Sequence, residues 1–382
     1  MFNILTKNKI SATGLAALSA DSYTISDSHA DPDAIVVRSA SLHEDEFGAS
    51  LAAIARAGAG VNNIPIERAS EAGIAVFNTP GANANAVKEL VICALFLAAR
   101  KVVAGAEWAK GLKGEGSAVG KLVEKGKGAF GGGEILGKTL GVIGLGAIGA
   151  LSANAAASLG MRVMGYDPFL SVQGALRLSP SISVTEDLSE LLATSDYISL
   201  HLPLNDSTRG LINSQRLTDC KEGVRILNFA RGELVDDRDL LDALASGKVA
   251  AYVTDFPTDA QLGADGVTAL PHLGASTAES EENCALMAAD ELKAYLEQGV
   301  VVNSVNLPDC KLPAKTGLRV CVVHKDIDGI VAQITTAARA HAHNLFSASK
   351  KGLGYTVLDV AEEADTAAIL GIPGVLRVRV LP

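Results

Sequence analysis

The stretch "TLGVIGLGAIGALSANAA", residues 139–156, decides the fold. Residues 139–143 read as a buried strand, and an Ala-rich helical pattern opens at the third glycine. Between them Gly144, Gly146 and Gly149 stand in GxGxxG spacing, with Ala147 and Ile148 inside the turn. The first two glycines permit a tight turn and close approach of a pyrophosphate to backbone N–H groups, and the third lets the helix lie on the strand. A second strand, "RVMGYDP" (162–168), ends in Asp167 and Pro168, placing the carboxylate eighteen residues after Gly149. A carboxylate there accepts hydrogen bonds from both ribose hydroxyls and repels a 2′-phosphate, so the pattern points to NAD rather than NADP. The plainer reading is that Asp167 caps the turn before Pro168.

Outward from this turn, short apolar runs alternate with helical patterns. Upstream lie "AIVVRSA" (34–40), "LAAIARAG" (51–58), "GIAVFNTP" (73–80) and a long helix over 85–109. Downstream lie "YISLHLPL" (197–204), "VRILNFAR" (224–231), "VAAYVTDF" (249–256) and "VTALPHLG" (267–274). Such alternation is the pattern of βαβ units and parallel sheets. Residues 111–133, Gly- and Lys-rich, read as an irregular surface segment. Composition shifts near Thr316, and the tail beyond it reads β, α, β, β, α, β, enough for a small domain of its own.

The chain has 382 residues, which favours two or three domains. Hydrophobic residues make up 48% and aromatics 4%, a balance that favours helices on parallel strands. Acidic residues outnumber basic ones by 43 to 33, for a formal charge of -10, which argues against a general nucleic-acid binder. No apolar run is long enough to span a bilayer, so no membrane partner is expected. Residues 1–10 carry no signal-peptide pattern, and the expected compartment is the cytoplasm. The five cysteines are scattered and form neither a disulfide framework nor a metal site.

With NAD at residue 144 onward, reactive groups belong at the C-terminal ends of the later strands. Arg231 ends one of them, where a guanidinium can clamp a substrate carboxylate with two parallel hydrogen bonds. Oxidation of an alcohol needs a base that takes the hydroxyl proton as hydride leaves, and His201 and His272 both sit at strand ends. A carboxylate beside that base would hold the imidazole in one tautomer, and Asp255 and Asp259 are the candidates. On spacing alone both pairs of alternatives stay open.

The set "GLGAIG", "GYDP", "NFARGELVD", "TDFPTD" and "PHLGAST", with "VRSA", "AGAGVNN" and "NTPGANANAVKE" upstream, resembles the D-isomer-specific 2-hydroxyacid dehydrogenases over nearly the whole chain. The resemblance implies an α/β architecture with a Rossmann-type NAD-binding domain over 85–275. A flavodoxin-like substrate domain is implied from 1–84 with 276–310, and an ACT-like regulatory domain over 316–382. It implies Arg231 and His272 as catalytic residues, with His201 lining the cofactor site. Aligning "FPTD" with the family's acid motif makes Asp259 the carboxylate that supports His272. Aligning by distance from Arg231 instead places Asp255 near the nicotinamide amide. Pro203, Phe229, Ala230 and Gly274 are further implied cofactor contacts.

For the substrate, the resemblance implies the backbone N–H groups of Gly60 and Val61, together with Arg38, Ser39, Asn83 and Arg231. Arg56 matches a nearby arginine of the family. Lys121, Lys125 and Lys127 fall where some members place phosphate-binding arginines, and a solvated linker accounts for them more simply. The phosphoglycerate-oxidising branch is the expected one, taking 3-phospho-D-glycerate to 3-phosphohydroxypyruvate at the start of L-serine synthesis. The alternatives are a glycerate or hydroxypyruvate enzyme and, from another class, an NAD-sensing binding protein of the co-repressor kind. In the tail, His324, Asp326 and Asn344 match serine-contacting positions, so L-serine is an expected effector. A homodimer or homotetramer is expected, with the helix at 85–103 contributing to a two-fold interface.

Overall fold

The computed structural model describes residues 1–313, 315 and 317–382. The expected first residue of the tail domain, 316, lies outside the described residues. By contact density the chain forms two units, Met1–Asn83 with Ala278–Pro382, and Ala84–Thr277.

The first unit opens with five strands, β1 (Phe2–Lys7), β2 (Tyr23–Ser26), β3 (Ala34–Val37), β4 (Ala53–Arg56) and β5 (Ala75–Asn78). They pair in parallel in the order β2-β1-β3-β4-β5, a flavodoxin-like arrangement. Successive side chains of a strand point to opposite faces, so the apolar runs need cover on both. On one face the helix Ala278–Gln298 sets Ala288, Ala289, Leu292, Tyr295 and Leu296 against Ile4, Val36, Ala53 and Phe77. On the other, Leu42, Leu51, Ile64 and Ala69 cover Ile35, Val37, Ile54 and Val76.

The second unit holds β6 (Thr139–Ile143), β7 (Arg162–Tyr166), β8 (Ser183–Thr185), β9 (Tyr197–Leu200), β10 (Val224–Asn228), β11 (Val249–Thr254) and β12 (Val267–Ala269). All are parallel, in the order β12-β11-β10-β9-β6-β7-β8. One face is covered by Val87, Val91 and Leu95 of the helix Ala84–Ala99 and by Ala153 and Ala156 of the helix Ala147–Ser158. The other is covered by Leu191, Leu217 and Leu240 from three further helices. Helices on both faces of a parallel sheet make this the Rossmann-type architecture.

The long helix expected over 85–109 is two, Ala84–Ala99 and Val102–Lys110. The segment expected to be irregular contains a further helix, Val119–Gly126, and short 3₁₀ turns. No residue of Val102–Lys110 or Val119–Gly126 is buried, which is why burial-driven periodicity gave no sign of the break or of the second helix.

The tail builds an antiparallel sheet from β13 (Leu318–Lys325), β14 (Ala342–Lys350), β15 (Leu353–Val360) and β16 (Val375–Leu381), in the order β14-β15-β13-β16. The helices Ile330–Ala338 and Thr366–Leu370 cover one face through Ile330, Ile334 and Ile369. The opposite face, with Cys321, Val323, Tyr355 and Val357, joins the cluster under the helix Ala278–Gln298, so every residue of β15 is buried.

Polar contacts follow the same seam. Arg319 donates to Gln298 O at 2.7 Å, Arg379 to Tyr295 O at 2.9 Å, and the Tyr355 hydroxyl to Gly299 O at 2.9 Å. The last carbonyls of a helix lack intrahelical donors and carry partial negative charge, which favours the two guanidiniums here, while the hydroxyl bonds the first carbonyl beyond the helix. Arg319 is itself held by Asp359, at 2.6 and 2.9 Å, with both side chains essentially buried.

Candidate active site

The glycine turn follows directly from β6. Gly144 has φ +93°, and a Cβ there would stand 2.5 Å from His201 O. At Gly149 an added Cβ would run into Gly144 O, while at Gly146 it would meet nothing. The third glycine is therefore needed for packing, and the second leaves open space in front of the helix Ala147–Ser158. That helix has no side-chain cap at Gly146, so its first N–H groups remain available to a phosphate.

Asp167 accepts from Leu145 N and from Phe169 N, both at 2.9 Å, so the carboxylate braces the glycine turn as well as capping its own. Pro168, beside it, is exposed. His201 follows β9, with its Nε2 2.8 Å from Ser199 Oγ. Burial pushes its imidazole down to about 4, which keeps it neutral and unsuited to exchanging protons near pH 7. Phe229 is buried beyond β10, Ala230 is half-buried, and Pro203 is exposed.

At the ends of β10, β11 and β12, two side chains named from sequence come together around one that was not. Phe256 lies 4.4 Å from the His272 ring, centroid to centroid, and the Arg231 guanidinium stands 5.8 Å over the same phenyl ring. Arg231 and His272 are both exposed. His272 takes the left-handed conformation, φ +42°, and its N–H donates to Asp255 O at 2.9 Å. Asp255 Oδ2 accepts from Gly274 N at 2.8 Å, so this residue grips both ends of the turn 272–274.

The two aspartates separate here. Asp255 is 1% exposed, and burial pushes its carboxyl up, against the opposing pull of Gly274 N, His272 and Arg231. Its Oδ1 is buried with no hydrogen-bond partner. Asp259 is exposed, and no hydrogen bond or ion pair joins it to His272, so the support expected from Asp259 is absent from this geometry. The physical reason is the loop: after Phe256 the chain turns through 258–262, with Leu262 N bonded to Thr258 O, and leaves Asp259 facing water.

Apart from Arg231, the residues expected to hold substrate belong to the first unit. Arg38 follows β3 and pairs with Glu281 at 2.7 Å. Ser39 N is held by Asn8 Oδ1 at 3.0 Å, and Arg56 Nε donates to Arg38 O at 3.1 Å. Gly60 and Val61 lie in the loop after β4, and Asn83 immediately precedes the helix Ala84–Ala99.

In the tail, His324 is 2% exposed, with Nε2 on Thr356 Oγ1 and Nδ1 on Lys325 O, both at 2.8 Å. Neither ring nitrogen is left for an effector. Asp326 is exposed, and Asn344 donates to Asp359 Oδ2 at 3.2 Å. His324 pairs with Gly354 and Asn344 with Asp359 across β15. That separation, five residues along one strand, is about 16 Å at roughly 3.3 Å per residue. One chain therefore does not bring His324 and Asn344 onto the same small ligand.

Among the described residues there is no cluster of metal-ligating side chains, no helix is long and apolar enough to cross a membrane, and the five cysteines are unpaired.

Comparison with known proteins agrees with this geometry. Residues 93–274 match the family described as D-isomer specific 2-hydroxyacid dehydrogenase, NAD binding domain. The D-3-phosphoglycerate dehydrogenase of Escherichia coli (strain K12) is 34% identical over 362 residues, spanning 89% of this chain and 84% of that protein. The hydroxypyruvate reductase of Thermotoga maritima is 40% identical over 281 residues, spanning 70% of this chain and 85% of that protein. The NAD+-bound 3-phosphoglycerate dehydrogenase structure from Entamoeba histolytica superposes with a TM-score of 0.61 at 26% identity, covering 80% of this chain and 98% of that one. The cofactor is NAD. The open space at Gly146 and the unpartnered Asp255 Oδ1 both fit it, the first beside a pyrophosphate and the second as acceptor for an amide.

Proposed function

The chain belongs to the D-isomer-specific 2-hydroxyacid dehydrogenases, and from that premise we propose that it oxidises 3-phospho-D-glycerate to 3-phosphohydroxypyruvate, the entry to L-serine synthesis. The observation that carries the chemistry is the grouping of Arg231, Phe256 and His272 at the strand ends beyond the glycine turn.

Bound NAD supplies a hydride acceptor. The protein does the rest. His272 takes the proton of the C2 hydroxyl while the C2 hydrogen leaves as hydride and the carbonyl forms. Arg231 orients the substrate carboxylate and the nascent carbonyl through parallel hydrogen bonds. Gly60, Val61 and Asn83 receive the other side of the acid, and Arg38, Ser39 and Arg56 the phosphate end. Asp255 would hold the nicotinamide end of the cofactor through its unpartnered Oδ1. Asp259 reaches His272 only by a movement of the loop 258–262. In domain terms, 85–275 carries the cofactor and 1–84 with 276–310 the substrate.

The resemblance to hydroxypyruvate reductase supports a second reading, in which the same site takes an unphosphorylated acid. NADH formation from 3-phosphoglycerate against glycerate separates the two, and a preference for glycerate overturns the first. Self-association is part of the proposal. The helices Val102–Lys110 and Val119–Gly126 have no fully buried residue in one chain, and Phe96, Val102, Val103 and Val119 are exposed, as suits a face covered by a second copy. L-serine is the proposed effector of the tail, held there by Asp326 and Asn344, because both ring nitrogens of His324 are already bonded. A cytoplasmic setting agrees with the unpaired cysteines.

A further inference from the structure

Glu291 is 6% exposed on the helix Ala278–Gln298, among apolar neighbours. Its Oε1 accepts from Asn303 Nδ2 at 2.7 Å, and its Oε2 has no partner. A buried carboxyl with one bond carries no evident packing advantage over leucine, and each missing bond costs about 1–3 kcal/mol. Its neighbours suggest what it does instead.

Asn303 stands in the left-handed conformation, φ +59°, at the turn where the chain reaches the edge of β5. From there the chain zips onto β5: Val305 N donates to Val76 O at 2.7 Å, and Val76 N to Asn306 Oδ1 at 2.9 Å. Asn78, the last residue of β5, gives its N–H to Asn303 O at 3.4 Å. Its side-chain amide reaches across to Ala59 O at 2.6 Å. Ala59 immediately precedes Gly60 and Val61. A chain of contacts through Asn303 and Asn78 thus connects a buried helix position to the loop 59–61.

We propose that Glu291 is a positioning residue for the substrate, fixing the loop 59–61 through Asn303 and Asn78. The inference rests on the reading of Gly60 and Val61 as the carboxylate-binding loop. Glu291 need not touch the substrate to act, because a shifted loop misaims both N–H donors. Burial pushes its carboxyl up to about 8, with Asp290, the next residue back on the helix, adding to the rise. Neither β5 nor residues 300–306 carry a charge that would counter it. The Asn303 hydrogen bond pulls the other way, favouring the carboxylate, so the contact holds in both forms.

The experiment compares Glu291→Leu, Glu291→Gln and Asn303→Gly, the last because glycine accepts the left-handed turn without strain. Loss of one hydrogen bond from the relay should raise KM for 3-phosphoglycerate roughly 3- to 10-fold in the Leu and Gly variants. KM for NAD and kcat should stay within about twofold, since neither depends on this loop. The double variant should be no worse than either single one. Glu291→Gln keeps the acceptor, so its KM should stay near the parent value. A KM for the acid that does not move while the melting temperature falls would reduce Glu291 to a core residue and overturn the proposal. Amide exchange at residues 59–61 reads the relay without turnover. Unchanged exchange in Glu291→Leu overturns the proposal whatever the substrate is. Faster exchange in a protein that oxidises no phosphoglycerate leaves the relay standing and removes the substrate assignment instead.

Discussion

The imidazole of His272 rests on the ring of Phe256, 4.4 Å between centroids and tilted by 45°. An aromatic contact of this kind contributes about 0.5–1.5 kcal/mol. Phe256→Leu should therefore lower kcat roughly 2- to 10-fold by freeing the imidazole, and Phe256→Tyr should restore most of it. Steady-state rates at saturating NAD give the answer, and an unchanged kcat in the leucine variant would make the stacking incidental.

The two strand-end histidines should behave differently. His272→Ala should cost about 10²- to 10⁴-fold in turnover, the usual contribution of a general base, with NAD binding by calorimetry intact. His201 is neutral above about pH 4 because burial opposes its charge, so His201→Asn should change NAD affinity without moving either limb of the pH–rate profile between 6 and 9. A shifted limb in His201→Asn would return it to the list of bases.

Gly146 and Gly149 make a matched pair. Alanine at Gly149 drives a methyl into Gly144 O and should destabilise the unit by about 1–3 kcal/mol, read by denaturant melts. Alanine at Gly146 meets no protein atom, so stability should hold while NAD affinity falls. Equal losses of stability in both variants would contradict the open space in front of the second glycine.

Arg319 and Asp359 form an ion pair with side chains 0% and 4% exposed. Asp359→Asn leaves a buried guanidinium short of its counter-charge and should cost about 3–5 kcal/mol. The Arg319 hydrogen bonds hold the Asp359 carboxyl below its ordinary value. The folded state therefore has its full contribution above the unfolded carboxylate range near pH 4 and loses it as pH falls toward the lower folded value. Acid titration of the parent and of Asp359→Asn should differ in that window and run parallel above pH 5.

Much of this was legible in the residues, and what was not has a physical cause. The glycine turn, the parallel sheets and the βαββαβ tail show because buried strands demand apolar runs and turns demand glycine. β1 and β2 carry Asn3, Thr6, Lys7, Thr24 and Ser26 and so leave no such run. The exposed helices after residue 101 escape for the converse reason, having no buried face to impose a period. Asp255 and Asp259 could not be told apart because spacing along a chain does not show which side chain a strand end turns inward. Phe256 was missed since its contacts, to Arg231 and His272, are between strands and unrelated to any local pattern.

The tail's seam bears on how this chain can be cut and recombined. Arg319 caps Gln298 O, Arg379 adds a donor at Tyr295 O, Tyr355 bonds Gly299 O just past the helix Ala278–Gln298, and Cys321, Val323 and Val357 complete the apolar wall beneath it. A chain stopped at residue 313 would not be a lighter, unregulated enzyme; it would show water a greasy wall and strip the tail's donors from Gln298 O and Gly299 O, with aggregation as the outcome. Modularity, in this protein, is a property of its strand order and not of its interior. Swapping the tail for a relative's would require exchanging the facing side of that one helix along with it.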